Sequence, residues 1–295
     1  MDTSNQPLIS VITPFYNAAQ TLRYALMSLK MQTYRNWECI LVDDGSVDDS
    51  KSVLEIFDDP RFRYFHLEKN QGRGAARQYG LDNARGDFLC FLDADDWIYP
   101  RKLEHQLEVM NANPQISLLS TGLGIENDSN QLVGVRGFTS DQTDLIIYQP
   151  MKIPAPPNIP FAPSMIRMEA ARRAQFDSGL RRSEDADYLI QILMNEPYGL
   201  LPEILYVYKE LGKITQSDLI SGYQNRILVF RKYLTDYPIG SRKIIIQTIG
   251  KILLFRFGFS IGIAENLILR RSRQPIIDEQ QTHLNNFENF RKEHK

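Results

Sequence analysis

Short apolar runs alternate with segments of helical periodicity over the first 120 residues, and this alternation constrains the fold more than any other feature. It is typical of βαβ units, which build a mostly parallel sheet. Ligands of such sheets bind beyond the carboxyl ends of the strands, so the residues that follow each apolar run are the candidates for function. The predicted strands are 8–14, 37–43, 62–66, 88–92 and 116–120, and the predicted helices are 20–30, 49–57, 74–85 and 101–111.

Composition indicates an ordinary globular protein. Of 295 residues, 43% are hydrophobic and 24% charged, and the formal net charge of -2 gives no indication of nucleic-acid binding. Cys39 and Cys90 lie inside apolar runs and are predicted to be buried thiols. The first ten residues lack the features of a secretory signal, and no segment has the roughly 20 apolar residues of a spanning helix. We therefore expect a cytoplasmic protein.

The chain divides into three parts, 1–120, 121–215 and 216–295. The second part contains the proline-rich residues 151–164, which we expect to be loop or extended chain. The third part has helical periodicity with many apolar and basic residues. Its helices fit three arrangements: packing on the rest of the chain, forming a homodimer, or lying in the interface of an anionic membrane.

Asp43 ends the second predicted strand, in the sequence LVDDGSVDDS. Gly45, Ser46 and Asp48 suit a turn and the cap of the next helix. A turn does not require Asp43, however, and a carboxylate at this edge of the sheet can accept the imino N–H of a uracil or guanine ring. Base recognition and a simple strand–turn–helix connection explain the motif equally well.

The loop after the third strand, NQGRGAARQYG, has features of a phosphate-binding loop. Gly72 and Gly74 allow close approach of the backbone, and Arg73 and Arg77 supply positive charge. The loop has neither the dinucleotide-binding fingerprint nor the P-loop ending. Arg77 falls inside a predicted helix and fits a surface or ion-pairing arginine, so Arg73 is the better candidate ligand.

The fourth apolar run, 88–92, is followed by Asp93, Asp95 and Asp96. Asp93 and Asp95 are two residues apart, so their side chains would project to the same side of an extended chain. Negative charge at the end of a buried strand is tolerated only if something compensates it. Mg²⁺ and Mn²⁺ take one or two protein carboxylates together with phosphate oxygens and water. The motif therefore predicts Asp95 as a metal ligand and Asp93 as a contact to ribose or a neighbour of the metal, whereas Asp96 fits a solvated loop.

A second acidic cluster lies in SEDADYLIQIL, where Glu184, Asp185 and Asp187 precede or begin a helical apolar pattern. Ser183 and Glu184 fit a capping arrangement, and carboxylates are favoured near a helix N-terminus. A catalytic base would use the same residue types. Both interpretations remain open on this segment alone.

Taken in order, the segments ISVITPFYN, ILVDDGSVDDS, NQGRGAARQYGLDNARGDFLCFLDADDWIYP and SEDADYLIQIL resemble family 2 glycosyltransferases, from residue 8 to about residue 210. The resemblance implies an α/β protein of the GT-A fold, a single Rossmann-like nucleotide-binding α/β/α sandwich with a mixed, mostly parallel sheet, here with a C-terminal helical extension. It implies that residues 1–120 bind the nucleotide-sugar and that residues 121–215 bind the acceptor and supply the base.

The same resemblance implies a reaction. A sugar would pass, with inversion, from a nucleoside-diphosphate sugar, a UDP-sugar before others, to a saccharide or lipid-linked acceptor. The setting would be polysaccharide, lipopolysaccharide or glycolipid synthesis at the cytoplasmic face of the membrane, and the cofactor Mg²⁺ or Mn²⁺. The implied roles are nucleotide contacts for Pro14, Tyr16, Asp43, Arg73 and Asp93, metal ligation for Asp95, the general base for Asp185, a place beside the acceptor for Glu184, and a sugar-site aromatic for Trp97, which equally fits a core tryptophan.

The chain departs from the family downstream of the base. Many relatives have a histidine shortly after a Tyr-Arg pair, whereas residues 208–211 here contain none. Lys209 or Lys213 could replace the charge of such a histidine but not its ligation. The four histidines, at 66, 105, 283 and 294, lie elsewhere in the sequence, so we expect no histidine in the mechanism.

Two other functions fit parts of the pattern. A phosphoryl-transfer enzyme also uses Asp-x-Asp and a metal, but it would leave the loops of Asp43 and Arg73 unexplained. A nucleotidyl-transfer enzyme would use carboxylates, a metal and a nucleotide site, but it would leave the SED segment without a role. A non-catalytic nucleotide-sugar binding protein predicts the loss of Asp93, Asp95 or Asp185. All three are present.

Overall fold

The chain folds around one mixed sheet, in a computed structural model that describes residues 6–55, 59–209, 215–260 and 272–292. The strands are β1 (Ile9–Phe15), β2 (Trp37–Asp43), β3 (Phe62–His66), β4 (Phe88–Phe91), β5 (Trp97–Ile98), β6 (Leu118–Glu126), β7 (Leu132–Arg136), β8 (Ile146–Tyr148), β9 (Met165–Arg167) and β10 (Tyr198–Lys209). The helices are α1 (Leu22–Lys30), α2 (Ser50–Glu55), α3 (Arg73–Asn83), α4 (Lys102–Ala112), α5 (Met168–Arg173), α6 (Glu184–Leu193), α7 (Gln216–Lys232), α8 (Pro238–Ser260) and α9 (Ile277–Lys292).

The first four strands form the predicted parallel part of the sheet. β1 pairs in parallel with β2 on one side and with β4 on the other, and β3 pairs with β2. Every residue of β1, β2 and β4 is buried, because helices cover both faces. One face packs against α1 and α4, and the other against α3 and α6. The loops after β1, β2 and β4 therefore meet at one edge, on both sides of the central β1.

The sheet continues into the second predicted part of the chain. Its order is β3-β2-β1-β4-β9-β6-β10-β5, with β7 paired to β6 and β8 to β10. β9 runs antiparallel to both β4 and β6, and β5 antiparallel to β10, which makes the sheet mixed. β6 extends well beyond the predicted end at residue 120. Residues 151–164 contain neither helix nor strand, as predicted, and Cys39 and Cys90 are buried free thiols.

The C-terminal residues are helical, also as predicted. α7 packs against α6 through the cluster Leu180, Ile190, Val229 and Phe230, and α8 packs on α7. α9 packs against Trp97, and Trp97 directly follows the acidic loop after β4. Among the described helices, none combines the length and apolar character needed to cross a membrane. The predicted helix at 49–57 is described only to residue 55, and His294 and Lys213 lie outside the described residues.

Candidate active site

A cavity of about 690 Å³ opens at the carboxyl ends of β1, β2 and β4. Four of the five predicted nucleotide contacts line it, together with the predicted metal ligand. They are Pro14, Tyr16, Arg73, Asp93 and Asp95. Residues from three separate segments, the loops after β1 and β4 and the start of α3, thus converge at the edge where the sheet topology directs a ligand.

Asp43 is buried next to this cavity, with both carboxylate oxygens engaged. Oδ1 accepts the Ser46 N–H at 2.8 Å, and Oδ2 accepts the Tyr64 hydroxyl at 2.9 Å and lies 3.2 Å from Nδ1 of His66. Burial opposes ionisation, but these hydrogen bonds outweigh it and lower the pKa of Asp43. The His66 ring, at the end of β3, thus contacts a candidate base-reading residue.

The turn after β2 is built as the sequence predicts. Gly45 has φ +75°, and a Cβ at this position would come within 2.8 Å of the Lys69 carbonyl carbon. Asp44 then connects this turn to the arginine loop, because its carboxylate accepts the N–H groups of Gln71 and Gly72, each at 2.8 Å. No local pattern indicates this role of Asp44, because its partners lie 27 and 28 residues away.

We expect Asp44→Ala to lower the free energy of unfolding by about 1–3 kcal/mol, because two backbone donors lose their carboxylate acceptor. Urea denaturation measures the change. The exposed Asp49 on the same turn is the matched control, and Asp49→Ala should leave the midpoint nearly unchanged. Equal midpoints for Asp44→Ala and the wild type would contradict this view of the loop.

Arg77 is the residue that sequence reasoning underrated. It is buried rather than on the surface, and its guanidinium bridges Asp93 at 2.8 Å and Glu184 at 2.9 Å. Arg73 lies one helical turn earlier, and its Nε is 3.3 Å from the same Glu184 oxygen. The spacing of four residues between the two arginines was the available signal. Through Arg77, the loop after β4 and the first turn of α6 share one ion-pair network.

The acidic loop itself contains three carboxylates in different environments. The Arg77 and Arg73 charges overcome burial and lower the pKa of Asp93. Burial and then the Asp93 charge raise the pKa of Asp95, whose side chain is exposed to the cavity. The prediction of a solvated loop for Asp96 is wrong, because its side chain is buried. It accepts a hydrogen bond from the Tyr206 hydroxyl at 2.7 Å and another from the Lys209 N–H at 3.1 Å. Burial, Asp93 and Asp95 raise its pKa well above the usual range.

A divalent cation fits the Asp95 position. The carboxylate is open to the cavity, forms no salt bridge with a side chain of the described residues, and lies near a second carboxylate, that of Asp93. No group of three or more Asp, Glu, His or Cys side chains converges within the described ranges. A metal on Asp95 would therefore take its other ligands from phosphate oxygens and water, as Mg²⁺ and Mn²⁺ do.

The first turn of α6 carries the predicted base. Asp185 is partly exposed, and its Oδ1 accepts the Ala186 N–H at 2.8 Å. Glu184, predicted beside the acceptor, is instead fully buried, with Oε1 held by the two arginines, and burial raises its pKa. The capping interpretation is wrong: Ser183 has φ +63°, its side chain does not cap α6, and its hydroxyl donates to the Gly222 carbonyl. Such backbone strain is common at functional sites.

Trp97 lies at the boundary between core and site. Its indole N–H donates to Glu126 at 3.1 Å, and its ring stacks on Phe290 of α9, so the side chain is almost fully buried. It also lines a small cavity of about 80 Å³ that shares Asp95 with the main cavity. The burial depends on α9, nearly 200 residues further along the chain, which no local pattern could reveal.

Comparison with known proteins shows what this arrangement is similar to. The sequence model of Glycosyl transferase family 2 matches residues 10–173, more than half of the chain. TuaG of Bacillus subtilis, which is named as a teichuronic acid biosynthesis glycosyltransferase, is 41% identical over 110 residues, covering 37% of this chain and 44% of TuaG. The chain spans less than half the length of the curated relatives it matches first.

Two solved structures have the same fold. Residues 1–349 of S. aureus TarS in complex with UDP-GlcNAc superpose with a TM-score of 0.65 and 20% identity, covering 96% of this chain and 80% of that one. The mannosyltransferase PcManGT of Pyrobaculum calidifontis, in complex with GDP-Man and Mn²⁺, gives a TM-score of 0.60 and 18% identity, covering 86% and 71%. At these identities the likeness shows the fold alone, and the predicted GT-A fold is confirmed.

Proposed function

The chain belongs to glycosyltransferase family 2, and from this premise we propose that it transfers a sugar from a nucleoside-diphosphate sugar to an acceptor hydroxyl with inversion of the anomeric centre. One observation carries the proposal. The buried Arg77 joins Asp93, at the wall of the main cavity, to the helix turn that presents Asp185. Donor contacts and a base are thereby held in one rigid network, which a glycosyl transfer by single displacement needs.

The donor half of the site uses the loops after β1, β2 and β4. Pro14 and Tyr16 line the nucleotide cavity. Asp43 reads the base through the second lone pair of Oδ1, since Oδ2 already faces Tyr64 and His66. Asp93 binds ribose. Arg73, the first residue of α3, binds the diphosphate together with the N-terminus of that helix.

Asp95 would hold Mg²⁺ or Mn²⁺, which when bound supplies positive charge to the diphosphate leaving group. Each relative of known structure described above carries a nucleotide-sugar, and the mannosyltransferase also carries Mn²⁺. These ligands support a donor and a metal of the same classes in this chain. The likeness to TuaG supports an acceptor in polysaccharide synthesis.

Asp185 acts as the general base. Its carboxylate takes the proton of the acceptor hydroxyl, the acceptor oxygen bonds to the anomeric carbon, and the bond from that carbon to the diphosphate oxygen breaks. The nucleoside diphosphate leaves from the opposite face. Glu184, buried behind Arg77 and Arg73, holds the arginines rather than the acceptor, and Trp97 supports the loop that carries Asp95.

Calorimetric titration with UDP, GDP, dTDP and CMP, each with and without Mn²⁺, tests the donor site. We expect one nucleotide to bind selectively and with help from Mn²⁺. Asp95→Ala should weaken the Mn²⁺-dependent binding of the nucleotide at least ~10-fold. Loss of a residue that merely positions a metal ligand already lowers metal affinity by this factor, and loss of the ligand itself should cost no less. The exposed Asp144 lies outside the cavity, and Asp144→Ala is the matched control. Failure of every nucleotide to bind, or an Asp95→Ala protein with unchanged Mn²⁺ dependence, would contradict the proposal.

A further inference from the structure

The α8 helix has a charge pattern unlike that of any other long segment of the chain. Its 23 residues, PIGSRKIIIQTIGKILLFRFGFS, contain four basic residues and no acidic one. The basic residues, Arg242, Lys243, Lys251 and Arg256, are all exposed. The remaining sequence is largely apolar around the whole circumference, whereas a helix that only covers a protein core is apolar on one side.

One face of α8 is fixed against the protein. Ser241, Thr248 and Phe255 recur every seven residues and are buried, and Phe255 stacks on Tyr223 of α7 with ring centroids 5.6 Å apart. This packing determines which residues point away from the molecule.

The opposite face is apolar and exposed. Ile239, Ile246 and Leu253 also recur every seven residues, offset by two positions from the buried set, and are 84%, 68% and 60% exposed. Ile249 and Leu254 widen this stripe on either side. We call these five residues the outer stripe of α8. Five large aliphatic side chains in a continuous exposed row mark an interaction surface rather than ordinary surface.

A half-exposed apolar residue of the proline-rich loop lies next to the first turn of α8. This residue is Ile153, whose Cδ1 lies 3.6 Å from the position that a Cβ at Gly240 would take. The neighbouring Lys152 is exposed. The loop and the start of α8 therefore present apolar and basic side chains at the same place on the surface.

We propose that the outer stripe of α8 inserts into the interface of an anionic membrane, with the helix axis parallel to the surface. Lysine and arginine beside exposed apolar side chains favour such an interface, and Arg242, Lys243 and Arg256 each lie three or four positions from a residue of the outer stripe. The helix is roughly 34 Å long at 1.5 Å per residue, so the stripe makes an extended contact. These three cations then meet the negative headgroups, each contributing to attraction near the surface.

Charge also distinguishes a lipid surface from a second copy of the chain. In a two-fold dimer, the same patch meets itself, so the cations of one α8 would face the cations of the other. No carboxylate of α8 is available to compensate them. Anionic lipid headgroups supply that compensation.

The location of α8 has a consequence that rests on the proposed function. α7, on which α8 packs, is tied to the base-bearing helix by the ion pairs Arg182–Asp218 and Lys232–Asp187. A membrane-bound α8 would hold Asp185 near the lipid surface, where a lipid-linked acceptor resides.

Co-sedimentation of the full chain with vesicles tests the membrane contact independently of any catalytic activity. We expect binding to vesicles rich in phosphatidylglycerol, much weaker binding to pure phosphatidylcholine, and release by high salt. Ile246→Gln with Leu253→Gln should lower the affinity at least ~10-fold. The matched control is Val47→Gln with Ile277→Gln, two equally exposed aliphatic residues outside α8.

The charges are tested in the same assay. Arg242→Gln with Lys243→Gln should lower the affinity about 30-fold, while Lys51→Gln with Arg85→Gln, an exposed lysine and an exposed arginine elsewhere, should leave it nearly unchanged. Equal binding to neutral and anionic vesicles, or identical binding by the stripe variant and its control, would overturn the proposal. So would a protein that ignores vesicles and instead forms a dimer, by light scattering, that the stripe variant abolishes.

Discussion

The Asp185→Asn variant is expected to bind the donor as the wild type does and to lose about 100- to 10,000-fold in kcat. An amide cannot take the proton of the acceptor hydroxyl, so the attacking oxygen stays a poor nucleophile. The substitution keeps the shape of the side chain, and the amide oxygen can still accept the Ala186 N–H that Asp185 accepts. Steady-state release of nucleoside diphosphate measures kcat, and calorimetry measures donor binding.

Glu169→Gln is the control for this variant, because Glu169 is another carboxylate in the first turn of a helix and lies on α5 at the surface. It should retain wild-type kcat. If Asp185→Asn also retained wild-type kcat, the base would have to be another residue.

Arg77→Met should lower the free energy of unfolding by about 3–5 kcal/mol at neutral pH, because the carboxylates of Asp93 and Glu184 lose the cation that compensates them. Donor binding by the folded fraction should also weaken, since Asp93 would no longer be held. Urea denaturation gives the stability. Arg85→Met removes an exposed arginine just after the same helix and should have little effect.

The pH dependence of this loss separates a charge effect from lost packing. The pKa of Glu184 is already raised by burial, and the loss of Arg77 should raise it further. A carboxyl group whose folded pKa exceeds its unfolded pKa binds its proton more tightly in the folded state, so stability is regained as the pH falls through the folded value. The difference in the free energy of unfolding between Arg77→Met and the wild type should therefore decrease toward acidic pH. At neutral pH, adding Glu184→Gln to Arg77→Met should restore part of the lost stability. An equal gap at every pH would indicate lost packing alone.

Local pattern was sufficient to predict the donor half of the fold. The strands β1 to β4 each have a self-contained apolar run, and each is followed by a loop whose residue types already suggest its chemistry. Parallel pairing brings those loops together without further information, because the carboxyl ends of parallel strands share one edge. Local pattern therefore pointed to Arg73, Asp93 and Asp95, and the resemblance to family 2 glycosyltransferases added Pro14 and Tyr16; all five line one cavity.

The errors concern residues whose partners are distant in sequence. Arg77 pairs with Glu184, 107 residues away, and Asp96 with Tyr206, 110 residues away. A local pattern treats both side chains as surface charges, because nothing nearby compensates them. The short β9 and the two-residue β5 were also missed, since three residues or fewer have no measurable periodicity. Long-range pairing determines all of these features.

The central claim is that this site breaks the bond between the sugar and the diphosphate, and the products of the donor report that bond directly. Phosphorus NMR of the protein with the nucleotide-sugar chosen by calorimetry and a polysaccharide or lipid-linked acceptor follows them, with Mg²⁺ as the cation because paramagnetic Mn²⁺ would broaden the phosphorus signals. Glycosyl transfer yields a nucleoside diphosphate as the only phosphorus product of the donor, and its formation should be lost in Asp185→Asn. Nucleoside monophosphate with sugar phosphate, or free inorganic phosphate, would instead show phosphoryl or nucleotidyl transfer and would contradict glycosyl transfer at this site.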